Sequence, residues 1–584
     1  MNRRPSDATL LAGLAVALLA WACAPFLLQV LRIPLGPDVP VYLWWTRIAG
    51  AEGLAAVGER PGTAALALAL AGTLHLSTIA VVGAIEIAGT VAVGLAAAAL
   101  VRSALPEERA PWMLAGFLTG TFASHLAAGY LANLLFAAMF LAAAVALADA
   151  SRRGATAAAL LLGAAGITHP LFLALGAAIL VAAAALGWSG ERTAVRAELG
   201  AVLGGASILG VSALTMLTGA DALRVDTSRD ALLRRAGLDG VLGRAYVERF
   251  LRHWPRYAPW GTLPLAVAGF GRFRGFPRRF LVAWAAAIIV GFTASLATHA
   301  FPPDRFLTFA FVAPILAGPG VMRLARSVRL PRLGARTLVA ALAVSMVVGA
   351  GSAWFRQEPF VSVRELTRLE QANAAAVASP GSALVFPVAS EESAFLATRV
   401  GNLVRAAMPP SRIRDVAIEV AGSAAGDEAD ALGAASREDV AAVVSARGGR
   451  EQRLLVVPFA PRIGRGAPWT PVATGVYADP AVVTGAATEP LRPSSPAAMV
   501  IAGIAALLLL GLVGVAGARA IGLDRAGAAA VAPAFGAAAL VLAATVLDRV
   551  GLRLTGTVVP LLGSALAAGL CVGGAFLAER RARS

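Results

Sequence analysis

Apolar residues run along this chain in long uninterrupted blocks, not in the alternation of soluble strands or the single stripe of soluble helices. Length then decides the reading. A helix needs about 20 mainly apolar residues to cross a bilayer, and roughly 14 blocks qualify, several of them short. The first extends from Ala8 to Leu31 behind the start MNRRPSD. Ala20 and Trp21 before Cys23 fit a lipoprotein signal poorly, which predicts an uncleaved first span. The pattern changes between 355 and 496, where charges and prolines separate short β-like runs, ALVFPV (383–388), DVAIEV (415–420) and RLLVVP (453–458), from helical stretches such as REDVAAVVSA (437–446). The stretch 422–436 reads as a flexible loop. Three more spans are predicted near 498–518, 527–547 and 556–577. The expected fold is mainly α: a polytopic α-helical membrane protein with a small α/β domain. Its parts are a membrane module at 1–354, the α/β domain at 355–496 and a three-helix membrane segment at 497–584.

Composition agrees, with 58% hydrophobic residues, 14% charged residues and a mean hydropathy of +0.74, more apolar surface than a soluble core of ordinary size hides. The net charge of +16 would suggest nucleic acid in a soluble protein. Here the arginines sit in short loops between spans, where they set orientation, and no nucleic-acid partner is expected. With Arg3 and Arg4 in the cytoplasm, alternation places Arg102/Arg109, Arg152/Arg153, Arg192/Arg196, the basic loops 272–279 and 323–336, Arg519/Arg525 and the C-terminal arginines on the same side. The expected location is the cell membrane, with a cytoplasmic N-terminus and an extracytoplasmic 355–496. The arginine-rich stretch 221–254 falls outside in this scheme. Fusing 155–187 into one helix would bring it inside, but Thr168-His169-Pro170 lies mid-run, where proline breaks a helix and histidine is costly in lipid.

Candidate chemistry gathers on the outer side. Asp38 follows the first span in the loop RIPLGPDVPVYLWWTRIAGAEG, ahead of an interfacial helix bearing Tyr42, Trp44, Trp45 and Arg47. Trp44 and Trp45 read as an interfacial aromatic belt. His75, His125, His169 and His299 fall at outer ends of spans and His253 in an outer loop; converging histidines bind phosphate or carry protons. Glu86 interrupts an apolar run and must face protein or water, either paired across the bundle or functional. Asp304 and Arg305 stand at a span entrance in THAFPPDRFLTF; Arg305 is suited to grip a phosphate, or to pair with Asp304 at a helix start. The sequence has no lysine and so no Walker A motif, and it has no HExxH or GxSxG. Cys23 and Cys571 have no metal-ligand spacing.

Together, the loop-one acid with its amphipathic helix (PDVPVYLWWTRI, 37–48), the outward turn GITHPLFL (166–173), FPPDRFLTF (301–309) and the α/β domain resemble the GT-C superfamily of polytopic membrane glycosyltransferases. The resemblance implies transfer of a hexosyl or pentosyl group from a polyprenyl-phosphate donor among the membrane lipids to an envelope glycan, lipid or protein. Asp38 matches the family's loop-one acid and would be the catalytic base. Tyr42, Arg47, His75, His125, His169, His299, Asp304 and Arg305 are the substrate-binding candidates, by location. Asp38 is followed by Val39, not by a second acid, so a divalent metal stays an open question. Two other classes remain: a secondary transporter using Glu86 as a proton-coupling acid, and a non-catalytic envelope-assembly protein in which 355–496 binds partners.

Overall fold

The computed structural model describes the chain except residues 1–4, 59, 218–261, 299–303, 328–331, 379–382, 388–390, 410–416, 422–453, 457–469, 474–475, 479–489 and 584. The 221–254 stretch, the 422–436 loop, the 437–446 helix, His253 and His299 lie outside the described residues.

Seven described helices are long and apolar enough to cross a membrane. They are α1 (Asp7–Leu28), α4 (Thr78–Ala104), α8 (Pro170–Gly187), α9 (Arg192–Leu217), α11 (Gly275–Thr298), α17 (Pro496–Ala520) and α18 (Arg525–Arg549). Shorter apolar helices join them: α3 (Pro61–Leu74), α6 (Leu131–Leu147) and the apolar parts of α14 (Arg332–Trp354) and α19 (Val558–Arg583). The protein is a polytopic α-helical membrane protein. The bundle also contains α5 (Arg109–Ala127), α7 (Arg152–Thr168), α10 (Thr262–Phe270) and α13 (Val312–Ser327), with the short α12 (Asp304–Thr308) ahead of α13.

Helix α4 forms the centre because it is apolar all round, and such a helix is stable only when covered on every side. Every residue from Ile79 to Val101 is buried, against α1, α5, α6, α17 and α18. The run 155–187 breaks at His169, since Pro170 has no N–H to continue α7. The His169 imidazole caps the new helix, its Nδ1 accepting from the Phe172 N–H at 3.3 Å.

Ion pairs join several of the basic loops at one end of the bundle. Arg102 at the end of α4 binds Asp7 of α1 at 3.0 Å and Asp524, the N-cap of α18, at 2.7 Å. Arg109 shares Asp7, and Glu108 joins Arg272 and Arg326. A lowered Asp524 pKa follows chiefly from the Arg102 hydrogen bond.

At the other end lies the α/β unit. Three parallel strands, β2 (Ala417–Ala421), β1 (Ala383–Pro387) and β3 (Leu454–Val456), continue into antiparallel β5 (Val476–Ala478) and β4 (Thr470–Ala473), in the order β2-β1-β3-β5-β4. The three β-like runs of the sequence correspond to β1, β2 and β3. Helices α15 (Val363–Ala378) and α16 (Glu391–Ala406) accompany the sheet. The loop after α1 is tied to both ends of this unit: Gly36 N–H donates to Glu358 O at 3.2 Å, and Ser494 N–H donates to Arg32 O at 3.1 Å.

Gly36 fixes this loop against the turn between α5 and α6. Its φ is +99°, and a Cβ there would lie 1.9 Å from the backbone oxygen of Ala128. Gly129, with φ +109°, meets the loop from the other side, a Cβ there falling 2.9 Å from Asp38 N. Gly36→Ala is expected to destabilise by at least the roughly 1–3 kcal/mol of such a backbone conformation. A lowered thermal midpoint in nanodiscs checks it; an unchanged midpoint would show that the loop repacks freely.

Candidate active site

Asp38 stands at the N-cap position of α2 (Val39–Glu52) but makes no side-chain cap bond to that helix. Its carboxylate faces Arg399 of α16, with Nε 3.7 Å from Oδ1 and the Asp38 side chain 28% exposed. Burial raises the Asp38 pKa above the ordinary 3.8, and the guanidinium groups of Arg399, Arg305 and Arg60 act against that rise. Burial thus makes this carboxylate more basic than a free aspartate, and the surrounding cations moderate the rise.

The same cations reach His169. Arg60, just before α3, and Arg305, on α12, both act electrostatically on this imidazole. His169 is 1% exposed and stacks on Phe172 at 4.3 Å. Because Nδ1 accepts from the backbone, the neutral ring carries its proton on Nε2. That Nε2 is buried without a hydrogen-bond partner among the described residues. Two cations acting on a ring with an unspent donor give an environment suited to an oxyanion.

Tyr42 lies one turn along α2. Its hydroxyl accepts from the Ala132 N–H of α6 at 3.3 Å, and its pKa is raised, first by burial and also by the Asp38 charge. The phenol stays neutral and braces α2 against α6.

Helix α16 lies along α2, and the pairs advance in the same direction on both. Arg399 meets Asp38, Asn402 Oδ1 accepts from Trp44 Nε1 at 3.0 Å, Arg405 covers the Trp44 ring at 5.4 Å, and Ala406 O accepts from Arg47 Nη1 at 3.0 Å. This corrects the reading of Trp44 as part of a membrane belt. It is 5% exposed because an indole with a buried N–H needs a partner, which α16 supplies.

The described candidate histidines, His75, His125 and His169, do not converge. His75 is exposed in the left-handed conformation that ends α3. His125 packs on Phe122, Nδ1 against Phe122 O and Nε2 3.0 Å from Thr308 O, which anchors the segment that carries Arg305. Asp304 opens α12. Among the described residues no group of three or more His, Cys, Asp or Glu side chains is placed to hold a metal ion.

Glu86 is part of the support beneath the site. It is 1% exposed in α4, and its Oε2 accepts from the Leu35 N–H at 3.2 Å, three residues before Asp38. Its Oε1 has no hydrogen-bond partner among the described residues.

Arg47 departs from the Asp38 cluster. It faces a separate cavity, behind which Glu370 of α15 accepts from the Leu491 N–H. Burial pushes the Glu370 carboxyl from 4.5 up to about 7, opposed by the Leu491 bond and Arg47. A folded-state pKa above the unfolded value means that folding retains an extra proton, so stability falls as pH rises from about 4.5 through about 7. Glu370→Gln keeps the acceptor and removes the ionisation. It is expected to stabilise by about 2 kcal/mol above pH 7, allowing for solvent screening, and by nothing below about pH 4.5. Thermal midpoints of both proteins across that range check this; curves that stay parallel would contradict it.

No family model matches this chain, and no curated protein does. Among solved structures it is similar to ArnT from Cupriavidus metallidurans in the apo state. The two are 16% identical, with a TM-score of 0.45, over 81% of this chain and 98% of that one.

Proposed function

We propose that this protein is a membrane glycosyltransferase of the GT-C type, transferring a sugar from a polyprenyl-phosphate donor to a hydroxyl of an extracytoplasmic glycan, lipid or protein. The observation that carries the reading is the pairing of Asp38 with Arg399 beside a cradle of Arg60, Arg305 and the unpartnered His169 Nε2. In this reading the acceptor oxygen attacks the anomeric carbon while the bond from that carbon to the phosphate oxygen breaks. The hydroxyl proton passes to Asp38. The electron pair of the broken bond leaves with polyprenyl phosphate, whose developing charge Arg60, Arg305 and the His169 N–H stabilise. Fixed donors aimed at a developing charge require no reorganisation during the reaction. Arg399 holds the Asp38 carboxylate in place and ionised until the hydroxyl approaches.

A lipid-borne donor suits a site framed by the ends of membrane helices, and it needs no nucleotide-binding motif. The test is sugar transfer by the full chain in nanodiscs, with a panel of polyprenyl-phosphate pentoses and hexoses and envelope-derived acceptors. Donor consumption matched by free polyprenyl phosphate and glycosylated acceptor is the expected result. No consumption of any donor on the panel would count against the reading.

A further inference from the structure

The second half of α2 borders a cavity that the proposed transfer does not use. Its volume is about 750 Å³, within the usual range for small-molecule sites. Arg47 lies nine residues beyond Asp38, roughly 14 Å along the helix, and on this cavity rather than the cradle. The walls come from α2, α3, the turn into α4, the segment Pro490–Arg492 and the connection between α18 and α19. Two arginines, Arg47 and Arg492, line it, together with the hydroxyl residues Ser77, Thr78 and Thr555, and no carboxylate is among its described lining residues. Ser77 and Thr78 begin α4, whose positive dipole end adds to the field. Glu370 lies behind the Leu491 wall, its carboxyl pushed up to about 7 chiefly by burial.

The remaining wall is apolar. Leu68, Ala71 and Leu76 line the α3 side, and Leu554 the α19 side. Helices α3 and α19 are in close contact: Gly72 meets the Pro560 ring, and the Thr73 and Ser564 hydroxyls are 2.9 Å apart. The first turns of α19 expose Val558, Leu561 and Leu562. A polar, cationic pocket opening beside exposed leucines matches a molecule with an anionic head and an apolar chain.

We infer that this cavity binds the phosphate headgroup of a membrane amphiphile, held between Arg47 and Arg492, at a site separate from the Asp38 cradle. The inference does not rest on the glycosyl-transfer reading, and its test measures binding alone.

The full chain in phosphatidylcholine nanodiscs is titrated calorimetrically with dihexanoyl phosphatidic acid, inorganic phosphate and dihexanoyl phosphatidylcholine. Two variants accompany the wild type. Arg492→Gln alters an exposed side chain, and Gly50→Phe fills the cavity from α2, where an added Cβ meets only Leu68 at 3.5 Å and Thr555 at 4.0 Å. The expected result is saturable binding of phosphatidic acid that Arg492→Gln weakens about tenfold, the loss of one charge-assisted contact, and that Gly50→Phe abolishes. Inorganic phosphate is expected to bind far more weakly, and phosphatidylcholine not at all. Equal binding of inorganic phosphate would overturn the lipid assignment in favour of a free anion. Equal binding of phosphatidylcholine, binding unaffected by both variants, or no binding of phosphatidic acid would each overturn the site.

Discussion

Asp38→Asn is expected to lower sugar transfer by about 10² to 10⁴, the usual contribution of a general base, while leaving donor binding nearly intact. The amide has almost the same shape, and Asp38 makes no cap bond to α2 whose loss would free the helix. What disappears is the proton acceptor and the negative charge facing Arg399 at 3.7 Å. The pH profile of the wild type supplies a second check. Burial lifts the Asp38 pKa above 3.8, and a base works only when deprotonated. Activity should therefore fall on the acid side through a pKa higher than that of a free aspartate, and the variant's residual activity should lack that limb. Transfer by Asp38→Asn at the wild-type rate would remove Asp38 from the mechanism, whatever the donor. Loss of activity together with a collapsed thermal midpoint would assign the residue to folding and not to proton transfer.

The place of Asp38 ahead of α2 was legible in the sequence because it needs no tertiary information: an acid a few residues past the first span, then a helix with Pro40 in its first turn. The break at Thr168-His169-Pro170 was legible for a similar reason, since a missing N–H acts locally. The β-like runs of β1, β2 and β3 stood out because they are short and apolar in a polar setting. Arg399 could not be found this way. It lies 361 positions from Asp38, on a helix whose docking against α2 depends on Trp44, Asn402, Arg405 and Arg47 meeting in three dimensions. Arg60 was hidden by its neighbours, being one arginine among many in loops where charge serves orientation. The histidines show the opposite failure. Sharing an end of the bundle predicted convergence, but lateral position is set by helix packing, and His75 ends a helix while His125 packs under Phe122 and Phe311. Among the described histidines, His169 reaches the field of Arg60 and Arg305.

Glu86 separates a supporting role from a proton-carrying one, and the two predict different behaviour for its amide. Its observed partner is the backbone N–H of Leu35, a residue with no exposed surface. Glu86→Leu leaves that N–H buried and unpaired, at a cost of about 1–3 kcal/mol. The loop can recover the bond only by shifting, and Asp38 is three residues away. A displacement of about 1 Å in a reacting group lowers rates by up to 10²-fold, so kcat should drop by about 10 to 100 with the donor KM little changed. Glu86→Gln retains a carbonyl oxygen for the Leu35 N–H and should stay within a few-fold of wild type. A proton-coupling acid would behave differently, because glutamine cannot carry the proton and the two variants would be equally inactive. Transfer assays on the pair in nanodiscs, with thermal midpoints to confirm folding, distinguish these outcomes. Rescue by glutamine places Glu86 as the prop beneath the Asp38 loop, and equal loss in both variants would make it a chemical participant.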